Sequence, residues 1–158
     1  MLSKELILAI YNGEIVSILH WLKPDKVNDL DMDGRSALFH AILAKSHQIF
    51  NLLIANHAYL NIKDKTGWSP LHYAAQNYEV EMAQLLIENG ADIELKDDNG
   101  NTPLWRAAFS SRGKGDVIKL LLLSGADPNN INDSGISPAK IASTIVNYDV
   151  KQFFNNLS

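Results

Sequence analysis

Cysteine is absent from the 158-residue chain. Its absence excludes disulfide bonds, thiolate metal sites and a cysteine nucleophile, and with them the small secreted proteins that depend on disulfides. Long apolar runs are also lacking, since no stretch approaches the roughly 20 residues of a membrane-spanning helix. The segment from Met1 to Leu6 carries an acid where a signal peptide has basic and then apolar residues. We therefore expect a cytoplasmic protein without a membrane partner, in which the glycosylation sequons at Asn132 and Asn156 are unused.

A strong excess of positive charge is lacking as well. The chain carries 14 Lys and Arg residues against 18 Asp and Glu, a net charge of −4, and its basic residues are scattered along the sequence. Phosphate binding requires clustered Lys and Arg, so a nucleic-acid partner is not expected. Apolar residues at 46% with charged residues at 20% favour a folded chain over a disordered one.

Recognisable catalytic and metal-binding motifs are missing too. The chain has no Walker, Gly-x-Ser-x-Gly or His-Glu-x-x-His pattern. The segment from Asp31 to Gly34 is similar to the start of a calcium loop, but its twelfth position is Ile42 instead of the bidentate Glu, so Asp31 is better explained as a turn-forming residue. The five histidines lack metal-ligand spacing; they are His20, His40, His47, His57 and His72. We therefore predict no catalytic, cofactor or metal residue, and a chain that is not an enzyme.

What the chain does contain is an internal repeat. The stretch from Asp64 to Ala75 reads Asp-Lys-Thr-Gly-Trp-Ser-Pro-Leu-His-Tyr-Ala-Ala, and related stretches begin at Asp31, at Asp97 and, more faintly, at Asn132. Their glycines at positions 34, 67, 100 and 135 are spaced by 33, 33 and 35 residues. A period of about 33 residues with a turn, a Ser/Thr-Pro-Leu-His segment and two alanines is typical of ankyrin repeats. The chain therefore resembles the ankyrin-repeat family over nearly its whole length.

This resemblance implies an all-α fold, an ankyrin-repeat α-solenoid of helix-turn-helix units with short β-turn or hairpin fingers. We expect a single domain, 1–158, because each helix pair is too small to bury its own apolar face and must stack on its neighbours. We assign residues 1–30 to an N-terminal capping repeat, residues 31–63, 64–96 and 97–131 to internal repeats, and residues 132–158 to a C-terminal capping repeat. Buried leucines should recur at fixed repeat positions, namely Leu38, Leu71 and Leu104 in one set and the pairs Leu52-Leu53, Leu85-Leu86 and Leu120-Leu121 in another.

The capping repeat at the N-terminus lacks the turn motif, and its apolar pattern predicts two helices. The first should span Ser3 to Tyr11 with Ser3 as its N-cap, and the second should span Glu14 to Leu22. Leu19 is expected on the buried face of the second helix.

Two histidines and one inserted segment carry further predictions. His57 stands where the next two repeats have glycine, and histidine enters the left-handed conformation at modest cost, so the helix should still end there. His72 occupies the histidine position of the family, where the resemblance implies a hydrogen bond that ties the turn to its neighbours. The segment 109–115 contains two additional residues and is predicted to form a longer, mobile loop between two helices.

Partner binding in the family, as the resemblance implies, uses the tips of the fingers and the exposed side of the first helix of each repeat. Carried over to this chain, the predicted contact residues are Asp33, Arg35, Lys65, Thr66, Trp68, Gln76, Asn77, Asp98, Asn99, Asn101, Phe109 and Ser110. The same finger and helix positions include Met32, Leu43, Ala44, Asp133, Ser134 and Ile136. This set is mixed in charge.

Trp68 is the most informative of these residues, because a solvent-facing tryptophan on a finger is typical of a binding hot spot. The alternative is that its ring packs on a neighbouring finger. We interpret the chain as a monomeric, non-enzymatic protein that binds another protein through its concave face. A second possibility is a dedicated inhibitor, such as a bacterial immunity protein or antitoxin that blocks a toxin's active site, since small free-standing ankyrin proteins resemble such inhibitors.

Overall fold

The computed structural model describes residues 1–155, so the sequon at Asn156 and the last residues of the fifth unit lie outside the described part. Within residues 1–155 the chain forms nine α-helices and one short 3₁₀ helix, and it forms no β-strand. The helices are α1 (Lys4–Tyr11), α2 (Ile15–Trp21), α3 (Ala37–Leu43), α4 (His47–Ala55), α5 (Pro70–Asn77), α6 (Val80–Glu88), α7 (Pro103–Ser110), α8 (Asp116–Leu123), α9 (Pro138–Thr144) and the 3₁₀ helix Val150–Phe154. The all-α prediction is confirmed.

These helices are arranged as stacked antiparallel pairs. We call α1, α3, α5, α7 and α9 the inner helices, and α2, α4, α6 and α8 the outer helices. Each inner helix packs against the next inner helix in chain order, and α6 also packs against α8. In the last unit the 3₁₀ helix takes the place of an outer helix and packs on α9. The stack is therefore a solenoid in which each unit contacts its immediate neighbours.

The inner helices begin at residues that the sequence marks clearly. Ser69 accepts a hydrogen bond from the His72 amide, and Pro70 occupies the first helical position, where a missing N–H is harmless. The same arrangement of a hydroxyl cap followed by proline starts α7 at Thr102 and α9 at Ser137. The predicted cap at Ser3 is also confirmed, with its hydroxyl accepting from the Leu6 amide at 3.3 Å.

The predicted core is confirmed at most of its positions. Leu38, Leu71 and Leu104 are fully buried, as are the second leucines of the predicted pairs, Leu53, Leu86 and Leu121. The first leucines of those pairs, Leu52, Leu85 and Leu120, are only half-buried. The prediction for Leu19 is wrong, since 54% of this residue is exposed. The short α2 has no preceding unit to cover it, so fewer of its apolar side chains are enclosed.

Left-handed backbone ends several helices and shapes the turns between them. The predicted helix end at His57 is confirmed, with a φ of 62°. A second set of non-glycine residues with positive φ lies between the inner and outer helices of successive units: Lys45, Tyr78 and Arg112 have φ values of 54°, 58° and 47°. Such φ values are uncommon for residues with a Cβ, and we did not predict them from the sequence.

The fingers are turns organised by the first aspartate of each repeat. One oxygen of Asp31, Asp64 and Asp97 accepts hydrogen bonds of 2.8–3.0 Å from the amides two and four residues later, which confirms the turn-forming role. The other oxygen bonds a side chain nine residues later, on the inner helix of the same repeat. Those side chains are His40, Tyr73 and Arg106, at 2.9, 2.7 and 3.0 Å. Each aspartate thus joins its finger to its inner helix.

Successive fingers are also joined to one another by the backbone. The amides of Lys65, Asp98 and Asp133 donate to carbonyls of the preceding finger at 2.9, 3.3 and 3.1 Å. Gly67 has a φ of 76°, and a Cβ at this position would lie 2.5 Å from the Asp98 amide nitrogen, so only glycine fits the approach. The finger tips therefore form a continuous and well-supported edge of the solenoid.

The inserted segment contacts both neighbouring units, although residues 112–114 are exposed. Helix α7 continues to Ser110, so the connecting loop is confined to residues 111–115. A turn within it is closed by a hydrogen bond of 2.9 Å from the Lys114 amide to the Ser111 carbonyl. The Tyr78 hydroxyl lies 2.8 Å from the Ala107 carbonyl and 2.9 Å from the Lys114 carbonyl. Side chains of the last unit lie against the two glycines of the loop, Tyr148 beside the exposed Gly113 and Phe153 over the buried Gly115.

Candidate protein-binding surface

The predicted finger residues divide into exposed tips and packed flanks. Asp33, Lys65, Thr66, Asp98 and Asn99 are exposed at the tips of three consecutive fingers, together with Met32, Asp133 and Ser134. Arg35, Trp68 and Ile136, each four residues after the first residue of its finger, are half-buried. Apart from the apolar Met32, the tips carry both charge signs and neutral polar groups, so they form a largely polar edge.

Asn101 is wrongly predicted as a contact residue, because only 4% of it is exposed. Its side-chain oxygen accepts a hydrogen bond of 2.8 Å from the Asn132 amide group in the next finger. In the last unit Asn132 replaces the finger aspartate, and the residue nine positions later is Ile141, which cannot bond a carboxylate. Asn132 therefore uses its amide group to hold Asn101, and this pair joins the fingers of the fourth and fifth units.

Trp68 is half-buried rather than solvent-facing, which corrects the expectation. The Arg106 guanidinium lies 4.3 Å above the centre of its ring, and the Tyr73 ring centre lies 5.0 Å away. The alternative of packing is therefore right, but the ring packs on inner helices, α7 of the next unit and α5 of its own, and not on a neighbouring finger as that alternative had it. Cation–π stacking of this kind is worth about 0.5–2 kcal/mol, so Trp68 contributes to the interface between repeats.

A row of two arginines and four aromatic side chains runs along the fingers and inner helices of three repeats. In order it consists of Arg35, Tyr73, Trp68, Arg106, Trp105 and Phe109, with successive separations of 5.4, 5.0, 4.3, 5.5 and 5.2 Å between ring centres or guanidinium carbons. The last two rings are stacked with an interplanar angle of 18°. We call this set the aromatic row.

The arginines of the aromatic row are held by buried carboxylates. Arg35 donates to Asp64 at 3.2 Å, and Arg106 donates to Asp97 at 3.0 Å. Burial alone would raise the pKa of Asp97, but hydrogen bonds from Arg106 and from the amides of Asn101 and Asn99 outweigh it and hold that pKa below its ordinary value. The charges are therefore paired, and the guanidinium planes are fixed over the rings.

Phe109 ends the aromatic row and is 55% exposed. Its ring is supported from below by Trp105, of which only 9% is exposed. Tyr11, at the end of α1, is a second exposed aromatic on an inner helix, and its ring contacts His40 edge-on at 5.9 Å. Sequence reasoning missed Tyr11 because the first unit lacks the turn motif that sets the register of the other units.

The other predicted contact residues on the inner helices do not belong to the aromatic row and lie around a cleft. Gln76, Asn77 and Ser110 line a cleft of about 320 Å³ at the ends of α5 and α7. Two further cleft residues, Arg112 and Lys114, were not predicted as contacts, although the two-residue insertion that carries them was the available signal.

His72 has a structural role, as the resemblance implies. It is fully buried, its Nε2 bonds the Asn101 carbonyl at 2.9 Å, and its Nδ1 accepts from the Ser69 amide at 3.1 Å. Because the carbonyl can only accept, Nε2 carries the proton and the ring is neutral. Burial lowers the pKa of His72 to about 4.

Acidification from pH 7 to about 4.5 is therefore expected to destabilise the protein. Unfolded His72 takes up a proton below about pH 6.5, whereas the folded residue does so only near pH 4, so the unfolded state binds more protons between these values. The free energy of unfolding decreases as the pH falls through this window, by roughly 3 kcal/mol over the whole of it. Urea unfolding of wild type and His72→Gln across this pH range measures the effect. Equal pH slopes for the two chains would contradict it.

In residues 1–155, no group of three or more His, Asp or Glu side chains is placed to hold a metal ion. Over the same residues, no helix combines the length and the apolar character needed to cross a membrane.

Comparison with known proteins agrees with the repeat pattern. A search of the curated proteins gives no match to this chain. Residues 44–132, more than half of the sequence, match the family model described as ankyrin repeats, in three copies. Ankyrin repeats are protein–protein interaction modules and are typically non-enzymatic. The chain therefore belongs to the ankyrin-repeat family.

Proposed function

We propose that this protein acts without catalysis, by binding another protein through the concave face made of its finger tips and the exposed sides of its inner helices. The observation that carries the proposal is Phe109, an exposed aromatic ring that is stacked on the nearly buried Trp105. Exposing such a ring to water is unfavourable, and binding energy in protein interfaces concentrates at aromatic anchors of this kind.

The support beneath Phe109 favours the same function. Trp105 and Arg106 lie next to each other on α7, and Arg106 is fixed by Asp97 and by the face of Trp68. A side chain that is already ordered loses little conformational entropy when a partner covers it. The aromatic row therefore offers a pre-organised contact surface.

The exposed finger tips would supply the rim of such an interface. Their mixture of Asp33, Lys65, Thr66, Asp98 and Asn99 is polar, as the rims of protein interfaces are. A standard interface covers about 800 Å² on each partner, and an apolar anchor surrounded by polar finger tips fits that type of interface.

Affinity capture with matched variants tests the proposal. Tagged wild type, Phe109→Ala and Tyr59→Ala are used to capture proteins from a lysate of the source organism, and the partners are quantified by mass spectrometry. Tyr59 is the control, because it is an exposed aromatic whose hydroxyl makes no hydrogen bond within the described residues, and it lies outside the proposed face. We expect Phe109→Ala to lower recovery of the partner about 30-fold, as loss of a hot spot of about 2 kcal/mol would, and Tyr59→Ala to leave it unchanged.

Equal recovery by Phe109→Ala and wild type, with unchanged melting temperatures, would contradict the concave-face assignment. The same experiment separates the two roles considered for the chain. A general adaptor should capture several partners at low stoichiometry, whereas a dedicated inhibitor, such as an immunity protein or antitoxin, should capture one enzymatic partner stoichiometrically.

A further inference from the structure

The cleft at the ends of α5 and α7 combines polar and cationic side chains. Its volume is about 320 Å³, and its lining includes Gln76 and Asn77 of α5 together with Arg112 and Lys114 of the loop 111–115. The Tyr78 side chain contributes to the wall and bonds the loop backbone. The cleft is therefore built from two repeats and from the segment that only the fourth repeat contains.

The two cations of the cleft are unpaired in the part of the chain that the structure describes. Neither Arg112 nor Lys114 has a carboxylate oxygen within 4.0 Å, and neither side chain donates a hydrogen bond. Asp116 begins α8 two residues after Lys114, yet it forms no ion pair with either cation. In contrast, both arginines of the aromatic row are neutralised by buried aspartates.

Arg112 also stands out among the residues at its position in the repeat. Lys45, Tyr78 and Arg112 share a positive φ between an inner and an outer helix. Lys45 reaches Glu79 of the next unit at 2.7 Å, and Tyr78 reaches the Ala107 and Lys114 carbonyls of the next unit. Arg112 makes no such contact. Glycine or asparagine would fit its left-handed backbone with less strain, so the turn itself does not require an arginine.

The loop that carries these cations is held in place. The turn is closed from Ser111 to Lys114, and Tyr148 and Phe153 lie against its glycines. Phe109, the proposed anchor, directly precedes the cleft residue Ser110 on α7. An acidic group beside an apolar contact of the partner could therefore meet the cleft and Phe109 together.

We propose that this cleft receives an acidic side chain, Asp or Glu, on the surface of the protein partner, with Arg112 and Lys114 as its counter-charges. The inference rests on the proposed protein-binding function and adds the chemistry of the partner. The chain as a whole carries a charge of −4, so attraction for an acidic group must come from a local arrangement. Paired charges of this kind fix the register and specificity of a complex more than its total affinity.

A peptide titration tests this proposal without a known partner. The ¹⁵N-labelled wild-type chain is titrated at low salt with a capped peptide of glutamate, serine and glycine, and with the same peptide in which every glutamate is glutamine. A third peptide has a free C-terminal carboxylate as its only acid. We expect the glutamate peptide alone to shift the amide signals of residues 76–78 and 110–114 saturably, and we expect 0.3 M salt to weaken this binding because the Debye length shortens.

Matched charge variants locate the binding. Arg112→Gly with Lys114→Gln removes both cleft cations and keeps a residue that tolerates the positive φ. Lys23→Gln with Lys26→Gln removes the same charge from exposed lysines of the N-terminal unit. We expect the first variant to weaken binding of the glutamate peptide about ten-fold and the second to leave it unchanged.

Three results would overturn the proposal: equal shifts with the glutamine peptide, shifts only with the free C-terminal carboxylate, or equal weakening by both charge variants. Failure of this proposal can be distinguished by experiment from failure of the proposed protein-binding function. If partner capture is lost in Phe109→Ala but unaffected by the Arg112→Gly, Lys114→Gln variant, the protein-binding function stands and the acidic-group assignment is wrong.

Discussion

Replacing Asp97 by alanine is expected to lower the free energy of unfolding by about 3–5 kcal/mol. The side chain is fully buried, with one oxygen accepting from the amides of Asn99 and Asn101 and the other accepting from Arg106. Alanine would leave two amides without acceptors, and it would leave Arg106, whose side chain is only 14% exposed, without its counter-charge. Removing one partner of a buried ion pair costs more than the pair contributes, because the remaining charge stays desolvated.

Urea unfolding followed by circular dichroism measures this loss. The control is Asp98→Ala, since the next residue is an exposed acid whose side chain makes no hydrogen bond or ion pair in the described part of the chain. We expect a change within about 0.5 kcal/mol for the control, as for ordinary surface substitutions. A similar small change for Asp97→Ala would mean that the bond between finger and inner helix does not support the repeat.

Truncation of Leu71 to alanine is expected to cost about 2–5 kcal/mol, because the leucine is fully buried and its removal leaves a cavity in the central repeat. For a chain of this size the melting temperature should fall by roughly 5–15 °C. The effect should spread beyond the third repeat, since each unit is stabilised through its interfaces with its neighbours.

Thermal unfolding of Leu71→Ala beside Leu123→Ala provides the measurement. Leu123 lies on α8 with 84% of its surface exposed, so the same chemical change there removes little buried area. An unchanged midpoint for Leu71→Ala would show that the repeat register is wrong, because this register places Leu38, Leu71 and Leu104 at one buried position.

The fold could be predicted from the sequence because each unit carries local signals with strong physical causes. The positive φ at position 67 favours glycine, and Ser69 and Pro70 start a helix. The spacing of 33 residues then repeats these signals along the chain. The left-handed helix end at His57 could also be predicted, because histidine is one of the few residues besides glycine that adopt this conformation at modest cost.

The exposure of individual finger residues could not be predicted in the same way. Asn101 is buried and bonds Asn132, 31 residues later, and Trp68 is covered by Arg106 of the next repeat. The bond from the finger aspartate to the residue nine positions later was missed because that residue is histidine, tyrosine or arginine in turn. These three residue types share only the ability to donate a hydrogen bond to the aspartate, so a comparison of residue types between repeats does not identify the position.

For the inserted loop, the position could be predicted from the sequence but the packing could not. Counting residues between helices locates the insertion in the fourth repeat. Its packing depends on Tyr78 from the repeat before it and on Tyr148 and Phe153 from the unit after it. Contacts of this kind decide whether Arg112 and Lys114 are held at a cleft, and only the three-dimensional arrangement reveals them.

Hydrogen–deuterium exchange of the chain, free and saturated with the captured partner, tests the protein-binding account most directly. We predict additional protection in the finger turns 64–68 and 97–101 and in the inner helices α5 and α7, with the outer helices α4, α6 and α8 unchanged. Protection confined to the outer helices, with the fingers and inner helices exchanging as in the free chain, would contradict the account.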